Sequence, residues 1–234
     1  MKRLITSLLT IILVSSAAYG EDLESARLEM DRSSEIVLGK DELKFATKPA
    51  YPRLCLMNDG TYILAWQETI PGRSDDNGRY ICYALSPDLK TWTPMGCLFS
   101  NKMVENVFGQ QSERMYSCPE FLNLSDGSLL CVCCYWNLST YSRIEGRADN
   151  GLVLRRSFDN GRSWSEETEI FHGQCWEPFM LEQSDGRIQC YFSEARSWIS
   201  SANSGTSMVE SLDGGNTWIP DLSSRPYRVM RKKY

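Results

Sequence analysis

Carboxylates, arginines and tryptophans recur in this sequence beside the same kinds of turn. Glu177 lies between Trp176 and Pro178, while Arg53 and Glu120 each directly follow a proline. Glu68 and Glu194 each stand eight residues after a turn glycine, Gly60 and Gly186. Between the apolar runs lie polar connectors, which add Arg73, Asp75, Asp76, Arg143, Arg147, Arg196 and Trp198. Brought to one mouth, these residue types suit a carbohydrate. Carboxylates act as acid, base or nucleophile, tryptophan faces stack on sugar rings, and arginine pairs with a substrate carboxylate. The candidate catalytic groups are Glu177, Glu68 and Asp75. Arg53, Glu120, Trp176, Glu194 and Arg196 are the candidates for holding substrate. Several have a plainer reading: Arg53 as the structural partner of Glu68 or Glu120, and Asp75 and Asp76 as a solvated turn.

The elements that would position these groups are strands. Apolar runs of four to eight residues, rich in Trp, Tyr, Cys and Ile, alternate with Asp-Gly, Asn-Gly and Ser-rich turns. Three segments align without gaps, YPRLCLMNDGTYILAWQE, CPEFLNLSDGSLLCVCCY and EPFMLEQSDGRIQCYFSE. Pro52, Pro119 and Pro178 each precede Asp59, Asp126 and Asp185 by seven residues. Each segment reads as a hairpin turned at Asp-Gly, where glycine supplies a positive φ. A second repeat interleaves: SPDLKTW at 86–92, SFDNGRSW at 157–164 and SLDGGNTW at 211–218. The last two fit S-x-D-x-G-x-[ST]-W; the first is one residue short and lacks the glycine. Its aspartate is expected to accept backbone amides across the turn, and its tryptophan to pack between sheets. One unit is then four antiparallel strands in about sixty residues, a propeller blade. The starts of first strands and the ends of second strands share one face, and the Asp-Gly and Ser-x-Asp turns share the other.

These S-x-D-x-G-x-[ST]-W boxes resemble the Asp-boxes (BNR repeats) of the sialidase, or neuraminidase, superfamily from about Tyr51 onward. The resemblance implies an all-β, sialidase-like β-propeller with about three of its six four-stranded blades present. The blades are expected at about 49–115, 116–174 and 175–222, with the start of a fourth at 223–234. Such a partial ring would be a fragment, the product of a broken reading frame, or one half of an assembly. In sialidases an early arginine grips the substrate carboxylate and a blade-one aspartate is the acid/base. YPRL offers Arg53 for the first role, with its proline before the arginine, and Asp75 or Asp76 falls where the second would be. WEPF and CYFSEAR in the third unit are similar to stretches of the exo-α-1,5-arabinanases, where the glutamate after Trp is catalytic. That resemblance implies a catalytic role for Glu177, and Glu194 replaces an aspartate of the motif. The expected function is an exo-acting glycoside hydrolase, inactive as this chain because a two-carboxylate mechanism needs both groups. The alternative is a carbohydrate-binding propeller without catalysis, and a product that does not fold stably is a third reading. No redox or organic cofactor and no metal is expected.

Residues 1–20, MKRLITSLLTIILVSSAAYG, have a basic start, an apolar run at Leu4–Val14 and a small-residue end. That order reads as a secretory signal peptide, with the run too short to span a bilayer comfortably, followed by a lead-in at 21–48. A secreted or periplasmic protein of one domain is expected, with no membrane partner after signal removal. The net charge of −5 argues against nucleic acid as the partner. Nine cysteines with a single histidine, His172, disfavour a zinc site. Most of the cysteines sit in apolar runs such as LLCVCCYW and read as buried thiols. Asn123 and Asn137 each open an NLS triplet that fits a glycosylation acceptor.

Overall fold

The computed structural model describes residues 38, 43–73, 79–140, 149–194 and 205–231. The expected signal peptide and most of the lead-in lie outside these residues. Two compact units divide the chain at Lys44, and the second, Phe45–Tyr234, carries every strand found among the described residues.

Among the described residues all regular structure is strand. The first sheet holds β1 (Ala50–Leu56), β2 (Tyr62–Thr69), β3 (Arg79–Ser86) and β4 (Thr93–Phe99). The second holds β5 (Lys102–Glu105), β6 (Gln111–Asn123), β7 (Leu129–Asn137), β8 (Asn150–Ser157) and β9 (Thr168–His172). The third holds β10 (Cys175–Glu182), β11 (Ile188–Glu194), β12 (Gly205–Ser211) and β13 (Tyr227–Arg231). Within each sheet the strands follow chain order and pair antiparallel.

β7, LLCVCCYWN, is buried at every position. Its alternate side chains serve two interfaces, which is why the run carries no charged residue and only Asn137, at its end, is an amide. Leu129, Cys131, Cys133 and Tyr135 pack with Ile63, Ala65, Ile81 and Tyr83 of the first sheet. Leu130, Val132 and Cys134 pack with Met180, Cys190, Phe192 and Val209 of the third.

The two interleaved repeats form the expected turns. Gly60, Gly127 and Gly186 have φ of 81°, 88° and 84°. Asp59, Asp126 and Asp185 accept the amides of Thr61, Ser128 and Arg187. In the Ser-x-Asp turns, Ser157 Oγ accepts the Gly161 amide at 2.8 Å and Ser211 Oγ that of Gly215 at 2.7 Å. Asp159 and Asp213 accept the amides of Ser163 and Thr217, each at 2.8 Å. The Thr217 hydroxyl and amide hold the Asp213 carboxyl down at about 2. Trp164 packs on Tyr83 and Phe121, between the first two sheets, and Trp218 joins the core between the second and third.

Sheet boundaries differ from the sequence expectation in two places. β5 and the start of β6 make a hairpin of the second sheet, so that sheet begins at Lys102 and not near 116. Its turn is set by Asn106, whose Oδ1 accepts the amides of Phe108 and Gln110; the polar strand KMVE has no alternation to reveal it. Residues 227–231, expected to open a fourth blade, are the outer strand of the third sheet, pairing Met208 with Tyr227 and Gly205 with Arg231. After Trp218 only the bridge between Glu210 and Ile219 forms. Pro220 has no N–H to extend that ladder, and β13 is laid down after a further turn in which Asp221 accepts the Ser223 amide.

Candidate active site

The inner strands of all three sheets start in the same way. Tyr51, Cys118 and Glu177, each directly before the proline of the repeat, have φ of 49°, 53° and 53°. The pairing register shifts at each: Ala50/Arg53, Ser117/Glu120 and Trp176/Phe179. Two residues of the inner strand there face one of its partner, a bulge that re-aims the side chain. A left-handed residue is uncommon outside glycine, and before proline the chain is restricted further. Because three unlike residues adopt it, this conformation belongs to the scaffold. It leaves Tyr51 and Glu177 exposed and buries Cys118.

The residue after each proline is Arg53, Glu120 and Phe179. Arg53 Nε lies 2.6 Å from Glu120 Oε2, joining the first inner strand to the second, and Arg53 also donates to the Pro52 carbonyl. Burial pushes the Glu120 carboxyl above its usual range, and Arg53 opposes that shift in part. Phe179, at the same position on the third strand, is exposed.

The slot eight residues after the turn glycine behaves differently. Glu68 is 3 % exposed and accepts from the Thr47 and Lys48 amides and from Trp66 Nε1. Glu194 is 5 % exposed and accepts from Ser207 Oγ at 2.5 Å and from Arg228 Nη2 at 2.7 Å. In the second sheet the slot is Tyr135, whose hydroxyl donates to Glu169. All three spend their polar groups inside the fold: Glu68 secures the segment leading into β1, and Glu194 ties β11 to β12 and β13.

Glu177 has an exposed carboxylate that pairs with none of the described residues. Beside it, the half-buried Trp176 ring lies 6.1 Å from Trp136, which in turn carries the Arg79 guanidinium at 5.2 Å. Arg79, Trp136 and Trp176 come from three successive sheets and form one row. Sequence reasoning missed Arg79 and Trp136: Arg79 opens a third strand and Trp136 lies one residue past the slot used for Glu68, so the repeat did not single them out. Arg73 pairs with Glu113 at 2.6 Å, another contact across sheets. Asp75, Asp76, Arg143, Arg147, Arg196 and Trp198 lie outside the described residues. Among the described residues no group of His, Cys, Asp or Glu has the arrangement of a metal site.

No protein-family model matches the chain, and no curated protein sequence does. Solved structures do match. A Hadza microbial sialidase is similar over 79 % of this chain and 40 % of its own, with a TM-score of 0.55 and 18 % identity. The fold is that of the sialidase-like β-propellers. A GH93 α-L-arabinofuranosidase of Fusarium graminearum, solved with arabinobiose, matches 77 % of this chain and 48 % of its own at a TM-score of 0.53 and 16 % identity. A Dyadobacter fermentans protein of unknown function matches at 0.52 and 22 % identity, over 73 % of this chain and 53 % of its own. The chain thus spans about half the length of these propellers, and its three sheets correspond to successive blades.

Proposed function

We propose that the chain forms three blades of an exported, exo-acting glycoside hydrolase in which Glu177 is a catalytic carboxylate. The supporting observation is the placement of Glu177. Its carboxylate stands exposed and unpaired among the described residues, at the bulged start of an inner strand, beside the tryptophan row. Trp176 offers a ring for a sugar face, and Arg53 with Glu120 supplies the polar wall. Asp75 and Arg196, which lie outside the described residues, remain the proposed acid/base and sugar-binding candidates of the connectors. Glu68 and Glu194 shape the mouth from within the fold.

Retaining and inverting hydrolysis both need a second carboxylate, about 5–5.5 Å away for the former and about 6.5–9.5 Å for the latter. Among the described residues Glu68, Glu120 and Glu194 are all engaged elsewhere, which supports the expectation that this 234-residue chain alone binds glycans without cleaving them. The assay is turnover of aryl sialosides and aryl arabinofuranosides, with glycan binding by calorimetry, for the chain and Glu177→Gln. Turnover abolished by the substitution would overturn the expected inactivity while keeping the site. Turnover that survives the substitution removes Glu177 from the mechanism.

The same engagement of Glu68, Glu120 and Glu194 favours a second reading, a propeller that binds carbohydrate without catalysis. Glycan binding left intact by Glu177→Gln, with no turnover in any longer form of the protein, supports it.

A further inference from the structure

Three pairs of thiols approach one another in this chain. Cys118 and Cys134 interact, as do Cys134 and Cys175, and all three side chains are buried between the second and third sheets. The third pair, Cys82 and Cys97, is different. Both belong to the first sheet, they are directly opposed on β3 and β4, and each thiol perturbs the ionisation of the other. Cys82 is half-buried and Cys97 is exposed on an edge strand.

We infer that Cys82 and Cys97 form a redox-active pair that closes into a cross-strand disulfide when it meets a small-molecule or protein disulfide. Directly opposed residues on antiparallel strands have Cβ atoms about 4.5–5.5 Å apart, close to the about 3.5–4.5 Å that a disulfide requires. Register shifts on either side of Cys82, and Gly96 at φ 97° beside Cys97, mark an irregular stretch of ladder. Such a stretch gives the strands room to close the remaining gap.

The chemistry has a defined order. The hydrogen bond from Cys82 lowers the Cys97 thiol to about 7, against the effect of burial, whereas that same bond and burial push Cys82 well up. The Glu68 carboxylate adds to the rise at Cys82, and burial, with Cys82, Glu68 and Cys97 as neighbours, lifts Tyr80 to about 12. Cys97 is therefore the attacking thiolate. Its sulfur attacks the external disulfide, forms a mixed disulfide and releases one external thiol. Cys82, on losing its proton, attacks the Cys97 sulfur and displaces the second external thiol. The protein dithiol is oxidised by two electrons, and the external disulfide is reduced to two thiols.

The pair also encloses the one Ser-x-Asp turn that departs from its pattern. SPDLKTW places Leu89 at φ 63°, where the other two turns have Gly161 at 75° and Gly215 at 90°. A leucine there is strained. The corresponding opposed pair in the second sheet is Val153 and Glu169. The cross-link thus falls only on the blade whose turn lacks the glycine, and it closes the short loop that contains that turn.

The test oxidises the full chain with glutathione disulfide, blocks remaining thiols under native conditions, and maps peptides by mass spectrometry. The expected product is a Cys82–Cys97 cross-link two hydrogens lighter than the dithiol, with Cys118, Cys134 and Cys175 still reduced. Its thermal midpoint is raised by roughly 5–10 °C relative to the reduced chain. Cys82→Ser should stop at a stable Cys97–glutathione mixed disulfide. Free Cys82 and Cys97 after oxidation, a glutathione adduct that persists in the unsubstituted chain, or a cross-link within the buried trio instead would overturn the inference. The unsubstituted chain decides the matter even if Cys82→Ser fails to fold.

Discussion

Two glutamates of the third sheet, Glu177 and Glu194, lie at the same end of one hairpin and have opposite environments. Cys175 pairs with Glu194 in the ladder, so Glu177 follows Glu194's partner by two residues. Glu194 is buried and bound by Ser207 and Arg228; Glu177 is exposed at a bulge and unpaired among the described residues. Glu68 in the first sheet repeats the fate of Glu194 with different donors. A carboxylate at the end of a second strand points along the sheet toward neighbouring amides and side chains. One placed on the inner-strand bulge is turned out of the ladder. Position within the blade therefore separates groups that stabilise the fold from groups free to meet a ligand.

The largest expected effect is at Glu194. Glu194→Gln removes the carboxylate that the Arg228 guanidinium meets at 2.7 Å, where that side chain is 18 % exposed, and should cost about 3–5 kcal/mol in urea unfolding. A loss under 1 kcal/mol would erase the contrast with Glu177. Glu68→Gln removes a charged acceptor from two amides and an indole, for a cost of about 1–3 kcal/mol measured the same way.

A smaller change of opposite sign is expected at the first Ser-x-Asp turn. Leu89→Gly relieves the left-handed leucine and should stabilise the reduced chain by about 1 kcal/mol. No gain would mean that the shorter turn suits its leucine.

Glu120 provides a pH-dependent comparison. Its folded-state pKa is raised above the ordinary 4.5, so the folded chain holds that proton more tightly than the unfolded chain. The contribution is fully present below about pH 4.5 and is lost as pH rises through the folded value. Glu120→Gln should flatten that part of the stability–pH curve, read from midpoints in thermal scans across pH 4–7; an unchanged slope would assign it to another group, such as the half-buried Glu169.

The smallest stability change belongs to Glu177→Gln, within about 0.5 kcal/mol of the unsubstituted chain. A large loss there would make Glu177 a scaffold residue like Glu194.

Local physics accounts for what the sequence determined by itself. Asp-Gly and Ser-x-Asp turns close through bonds between residues two to four apart, so Asp59, Asp159 and Asp213 announce their hairpins without help from the rest of the chain. The unbroken apolar run of β7 likewise marks a strand covered on both faces. The same regularity put Glu177, Trp176, Arg53 and Glu120 at corresponding starts of the inner strands. What the tertiary structure alone decided is which of those carboxylates is already in use. Arg228 lies 34 residues beyond Glu194, and Glu120 lies 67 beyond Arg53. No local pattern encodes such partners. The assignment of β13 to the third sheet is of the same kind, because it depends on an open edge at β12 and not on any signal in residues 227–231. Burial and donor count are properties of the assembled sheets, and they decide whether a glutamate at the mouth is bound or free.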